Sequence, residues 1–289
     1  MKVSGFSFIR NAEKYGYPIV EAIKSILPLC DKFYVAVGSS EDNTRSLIEK
    51  IDPEKIVIID TVWDDSLREG GQVLAIETDK AFQAIPDDFD WAFYIQGDEV
   101  MHEKYIPEVK EAMVKWKNDS KVDGLLFNYT HFYGSYDYVG SSEQWYPNEI
   151  RVIKNNKKIF SYRDAQGFRK NENDKLNVKP INAFIYHYGW VKEPKVQSTK
   201  RENFEKLYAN NVHAINTKEN QNEFDYSGID SLAIFSGTHP KVMQELIDRK
   251  NWVYEHDLSK NRVTIKSRFK RFVKNLTGIQ IGYKNYKII

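Results

Sequence analysis

The sequence predicts an α/β domain built on a mostly parallel sheet, and three observations predict it. Short apolar runs alternate with helically spaced apolar residues through the first 128 positions. The runs pass into loops carrying Gly, Asp or Asn, and at 289 residues the chain is long enough to bury one large core. Strands joined by helices pair in parallel and deliver their following loops to one edge of the sheet, where ligands of such sheets bind.

Residues 3–9 form the first apolar run, which ends in Arg10-Asn11-Ala12-Glu13; Ile19, Ile23, Ile26 and Leu27 then recur at helical spacing. Residues 33–37 give a second strand, closed by Gly38-Ser39-Ser40-Glu41-Asp42-Asn43-Thr44, and Leu47, Ile48 and Ile51 a short helix. A third strand is expected at 56–59. A helical pattern over 73–82 leads through Pro86-Asp87-Asp88 to a fourth strand at 91–95. A helix is expected over 102–116, and 124–129 resume the sheet. From 130 to 190 the chain is rich in Tyr, Gly and Asn and reads as short strands and long loops; 198–256 read as helical. These changes of rhythm divide the chain into 1–128, 129–256 and 257–289.

Composition excludes several classes. Hydrophobic residues at 41% and charged residues at 29% fit neither a disordered chain nor a membrane-spanning bundle. One cysteine, Cys30, allows no internal disulfide or Cys-rich zinc site, and no signal-peptide pattern opens the sequence, so a cytoplasmic location is expected. The net charge of +1 is unevenly spread: residues 258–289 hold nine Lys or Arg and no acid, leaving 33 basic against 41 acidic residues in the rest. Within that tail Ile265, Phe269, Phe272, Val273 and Leu276 alternate with basic residues as in a basic amphipathic helix. Such a helix either binds an anionic membrane surface, here the inner face, or simply covers the domain. The acidic body opposes nucleic-acid binding.

The segment most informative for chemistry is Tyr94-Ile95-Gln96-Gly97-Asp98-Glu99, where an apolar strand delivers two carboxylates into a loop. Mg²⁺ or Mn²⁺ takes one or two such carboxylates and completes its shell with phosphate oxygens and water. A solvated acidic turn is the plainer alternative. A second segment, Ile185-Tyr186-His187-Tyr188-Gly189-Trp190, frames an imidazole with aromatics.

In order and spacing, these segments resemble a GT-A-type family 2 glycosyltransferase over roughly the first 190 residues. Such enzymes transfer a sugar, with inversion, from a nucleotide-diphosphate donor held by a divalent cation. The resemblance implies a metal site at Gln96-Gly97-Asp98, with Gln where the family's first acid stands. Asp98 is then the cation ligand, with Glu99 beside it as a second, and His187 is a further ligand to the metal or diphosphate. It also implies a nucleoside pocket from Ile9, Arg10 and Asn11 and from the loop bearing Ser39 and Asp42, although Val37 replaces a common acid. Asp42 equally suits a helix cap. Arg68, Gln72 and the glycines between them suit phosphate approach, or form a surface turn.

Inverting transfer needs a carboxylate to take the acceptor hydroxyl's proton. Glu149 and Asp164 are the candidates, Asp164 favoured for its exposed-looking Gln166-Gly167 loop; both equally suit ion pairs with neighbouring Arg. His131, Tyr133, Tyr136 and Trp190 either line the acceptor cleft or pack. The expected partners are a nucleotide-sugar and a glycan or lipid-linked acceptor, as in polysaccharide biosynthesis, with Mn²⁺ or Mg²⁺ as cofactor. The rival readings are a nucleotidyltransferase and a non-catalytic carbohydrate-binding protein on the same scaffold. Dinucleotide, ATPase and hydrolase motifs are absent.

Overall fold

The structure, a computed structural model, describes residues 1–64, 66–67, 69–208, 223–262, 268–270, 273, 276 and 284–289. Arg68 and most of the expected tail helix lie outside these residues.

Strand β1 (Val3–Ile9) opens the sheet and is followed by α1 (Ile19–Ile26), β2 (Lys32–Gly38), α2 (Thr44–Glu49), β3 (Ile56–Thr61), α3 (Gln72–Gln83) and β4 (Trp91–Tyr94). This is the strand and helix alternation that the apolar spacing predicts. The short β5 (Glu99–Met101), α4 (Ile106–Trp116) and the long β6 (Gly124–Tyr133) come next. A β-rich stretch continues with β7 (Ser135–Gly140), β8 (Asn148–Lys154), β9 (Ile159–Tyr162), β10 (Gly167–Lys170) and β11 (Asp174–Trp190). The remainder holds α5 (Pro194–Tyr208), β12 (Leu232–Ile234), α6 (Gln244–Asp248) and β13 (Tyr286–Ile288).

Side-chain alternation sets the layers. Along β2, Phe33, Val35 and Val37 join the core that buries Ile19, Ile23 and Ile26 of α1 and Met113 of α4. Tyr34 and Ala36 point into the opposite core, with Val73, Ala81 and Phe82 of α3. Helices therefore cover both faces of an α/β sheet whose strands are apolar on both sides.

The sheet runs β3-β2-β1-β4-β8-β6-β11-β10-β9. Its first four strands are parallel. β8 then runs antiparallel to both β4 and β6, which restores in β6, and in β11 parallel to it, the direction of β1 and β4. The carboxyl ends of β1, β4, β6 and β11 consequently lie at one edge. From β1 the chain builds outward to β2 and β3, then returns to place β4 on the other side. That reversal of strand order opens a crevice between the two following loops.

Three details differ from the sequence reading. Residues 130–190 are mainly strand rather than loop, because the tyrosines that suggested ligand-binding loops are also favoured strand formers. Residues 225–257 are helical only in short pieces: Asp225 and Asp257 accept hydrogen bonds from the backbone N–H groups of Ser227 and Ser259, local turns that compete with a continuous helix. In the basic tail, residues 268–270, 273 and 276 are helical, and Phe269 and Leu276 are exposed, but Tyr286–Ile288 form β13 and pair in parallel with β11.

Candidate active site

The crevice at the strand-order reversal is built from the loops after β1 and β4. Asn11 takes a left-handed backbone (φ 54°) and staples the first loop to the second: its Oδ1 accepts from Glu41 N–H at 2.8 Å, and its own N–H donates to Ser40 Oγ at 3.0 Å. Asp42 accepts from the N–H of Thr44, at the start of α2, and from that of Lys14. Both residues thus have structural duties in the loop where ligand contact was expected. Ser39 lies exposed beside them, its N–H donating to Thr61. Ile9 is buried and approaches Gly97, where a Cβ would come within 2.7 Å of Ile9 Cδ1. Arg10 lies over the Trp63 ring, 4.3 Å from its centroid, and Gly38 leaves room for the indole. The Trp63 Nε1–H is buried without a hydrogen-bond partner. Gln72 begins α3 and is exposed. Gln96 donates to the Ala165 carbonyl at 3.1 Å, tying the metal-motif position to the β9–β10 turn.

Asp98 and Glu99 have different fates although they are adjacent. Glu99 is fully buried, and Arg151 grips both its oxygens at 2.7 and 2.8 Å; Tyr129 O–H and Gln96 N–H donate to the same carboxylate. The expectation of Glu99 as a second cation ligand meets a carboxylate already fully engaged. Asp98 instead points into the crevice. Lys200, from α5, donates to its Oδ2 at 3.0 Å, and His187 Nε2 lies 3.8 Å from Oδ1. Burial disfavours the Asp98 charge, but its neighbours, Lys200 foremost, outweigh it and hold the carboxyl well below the usual range.

Strand register brings the histidines together, since His187 on β11 sits opposite both Glu99 on β5 and His131 on β6. His131 stacks on Tyr129 and Trp145, and its Nε2 meets the Tyr146 carbonyl at 2.7 Å. A carbonyl only accepts, so that nitrogen carries the proton. Burial pushes His131 down to about 3 and His187 below its ordinary value, leaving both rings neutral at pH 7. His131 Nδ1 is therefore an acceptor, 3.2 Å from His187 Nδ1, which must donate to it. The relay leaves a bare lone pair on His187 Nε2, on the Asp98 side. Gly189 preserves the space there, for a Cβ would fall 2.6 Å from His187 Nε2 and 2.8 Å from Asp98 Oδ2.

Tyr146, which packs on His131, also lines the cavity beside Glu149, the first of the two candidate bases. Asp164 accepts from Tyr208 O–H at 2.7 Å with one oxygen, while its other is buried without a partner. Glu149 Oε2 is also buried without a partner, and the residue lines a cavity of about 180 Å³ with Tyr146, Tyr162, Gln166, Asn285 and Tyr286. Burial, opposed by Arg151 and helped by Glu99 and Asp164, pushes Glu149 up to about 8. Of the aromatics read as lining the cleft or packing, Tyr133 and Tyr136 are buried, and Trp190 packs against Tyr133 and Phe224.

Sequence reasoning missed Trp63, Tyr17, Lys192 and Lys200. The lysines had no legible signal, since Lys normally faces water and nothing in the spacing of α5 marks Lys200 as inward.

No protein-family profile and no curated protein sequence matches the chain. Solved structures do. The chain is similar to S. aureus TarS at 15% identity and a TM-score of 0.41, over 74% of this chain and 41% of that one. It is similar at 14% identity and 0.41 to S. aureus TarS 1-349 in complex with UDP-GlcNAc, over 74% and 69%. Glucosyl-3-phosphoglycerate synthase from Mycobacterium tuberculosis, in complex with Mn²⁺, UDP-glucose and phosphoglyceric acid, matches at 16% identity and 0.31, over 45% and 44%. The chain thus spans under half the length of full TarS. Strand order and register, rather than these distant likenesses, define the fold above.

Proposed function

We propose that the chain transfers a sugar from a nucleotide-diphosphate donor to a glycan or lipid-linked acceptor, with inversion at the anomeric carbon. The observation that carries this reading is the cluster of Asp98, His187 and Lys200 at the crevice where strand order reverses. In this reading residues 1–128 hold the nucleoside and 129–256 the acceptor, while His187 reaches across to the metal or diphosphate. UDP-GlcNAc in the TarS complex and UDP-glucose in the synthase complex make uridine nucleotides the first donors to try.

A divalent cation fits the residues present. Among the described residues no three His, Cys, Asp or Glu side chains converge, so the protein supplies two donors, Asp98 Oδ1 and the bare His187 Nε2. They are 3.8 Å apart across space that Gly189 keeps open, a gap that bonds of about 2.1 Å span after a small turn of the carboxylate. When bound, Mn²⁺ or Mg²⁺ would offset charge on the departing diphosphate. Asp98 and His187 orient that end of the donor, and the Ile9–Gly97 contact fixes the floor beneath it.

Glu149 is the base in this proposal, because the residue lines a cavity whereas one oxygen of Asp164 already accepts from Tyr208. The acceptor hydroxyl attacks the anomeric carbon, the bond to the diphosphate oxygen breaks, and the hydroxyl proton passes to Glu149. A group that titrates near 8 is well matched to that transfer.

Binding of UDP, GDP, dTDP and CDP, read by thermal shift with and without Mn²⁺, tests the donor site. One nucleotide that stabilises the chain, with the effect reduced in Asp98→Ala, supports the proposal. No shift with any nucleotide favours the carbohydrate-binding alternative, and release of pyrophosphate from a sugar phosphate and a nucleoside triphosphate favours the nucleotidyltransferase.

A further inference from the structure

Two lysines flank the Tyr17 ring beside Asp98. Lys200 Nζ donates to Asp98 Oδ2 at 3.0 Å and to the Gly189 carbonyl at 2.9 Å, and lies over the Tyr17 ring at 4.6 Å. Lys192 Nζ donates to the Gly16 carbonyl at 2.5 Å and lies 5.0 Å from the same ring; the residue is 3% exposed. Among the described residues no carboxylate forms an ion pair with Lys192. Burial and the neighbouring Lys200 depress Lys192 well below its ordinary value, while Asp98 only partly opposes them.

Lys200 is already paired with Asp98, and burial holds Lys192 toward its neutral form; an anion placed between them would favour the charged form of Lys192 and be held by both. The two lysines lie in the loop crevice where this class of sheet receives ligands. Ammonium groups bind phosphate oxygens as compact point charges.

We propose that Lys200, backed by Lys192, is a fixed cationic subsite for the donor's diphosphate, so that part of the leaving-group charge is neutralised by the chain itself as well as by a divalent cation. Lys200 occupies one oxygen of Asp98 and leaves the other, with His187, to the cation. The inference rests on the nucleotide-sugar reading above and adds a phosphate-binding residue to it.

The test compares UDP with UMP, because the β-phosphate is the group the subsite would hold, and it is run in EDTA so that only the chain's own charges act. Isothermal titration of the native protein is expected to give UDP an affinity about tenfold or more above UMP, the scale of one hydrogen bond to a charged group. Lys200→Gln is expected to reduce that ratio to about one or two while UMP binding is kept, which also reports an intact fold. Lys200→Arg, which keeps the charge, should retain most of the ratio.

An unchanged ratio in Lys200→Gln, a native ratio near one in EDTA, or equal losses in the Gln and Arg variants would overturn the subsite and leave the transferase reading standing. If no nucleotide binds the native chain under any condition, the transferase reading fails first, and the subsite with it.

Discussion

Arg151 and Glu99 meet through two hydrogen bonds, Nε to Oε2 at 2.8 Å and Nη2 to Oε1 at 2.7 Å, with both side chains buried. The Arg151 guanidinium also lies 5.2 Å from the Tyr94 ring centroid and 5.3 Å from that of Tyr129. This pair locks β8 to β5 beside Asp98, and so helps fix where the Asp98 carboxylate points.

Removing one partner strands the other's charge in the core. Arg151→Met is expected to lower unfolding stability by about 3–5 kcal/mol, measured by urea denaturation. A loss below about 1 kcal/mol would reject the locking role.

Glu149 gives a pH signature. A base must be ionised to act, so kcat/KM for transfer should rise with pH through a midpoint near 8, where burial places this group. Glu149→Gln should lower kcat by about 10²- to 10⁴-fold and abolish that limb.

The same shift has the opposite sign for stability. A carboxyl raised from 4.5 to about 8 in the folded state binds more protons folded than unfolded across that window, so its contribution to stability falls as pH rises through it. Relative to native protein, Glu149→Gln should therefore gain stability steadily between about pH 4.5 and 8, as read from denaturation midpoints. A difference independent of pH would place Glu149 in contact with water.

The histidine relay is visible to NMR. With Tyr146 O accepting from His131 Nε2, ¹⁵N–¹H correlation spectra should show His131 as the Nε2–H tautomer and His187 as the Nδ1–H tautomer. His131 should stay neutral until the pH approaches 3. Protonation of His131 near pH 6 would break the relay and the lone pair it leaves on His187.

Gly189 guards the space between donor groups. Gly189→Ala places a methyl 2.6 Å from His187 Nε2, and Mn²⁺-dependent enhancement of UDP binding should drop about tenfold or more as the ligands are pushed apart. Enhancement equal to native would move the cation elsewhere.

The first strands were legible because parallel strands buried on both faces read as apolar runs: Phe33 to Val37 is unbroken, and Val3 to Ile9 is interrupted only by Ser4, Gly5 and Ser7. Asp98 was legible as a carboxylate at a strand end, and His187 as an imidazole among aromatics. Glu99 looked equivalent to Asp98, for its commitment depends on Arg151, 52 residues away. Lys200 reaches Asp98 over 102 residues, and no local pattern records such a meeting. The strand β13 was hidden because a three-residue strand at the edge of a basic run has too few residues to show alternation.

That strand ties acid strength to chain closure. Asn285 and Tyr286 wall the Glu149 cavity, and Arg169 Nη1 holds the Asn285 carbonyl at 2.7 Å across 116 residues of sequence. Edge segments held by few contacts open more cheaply than a core. Were β13 to leave β11, water would reach Glu149 and its proton affinity would fall toward that of an ordinary carboxylate, so the basicity of a group more than a hundred positions upstream depends on the seating of three residues.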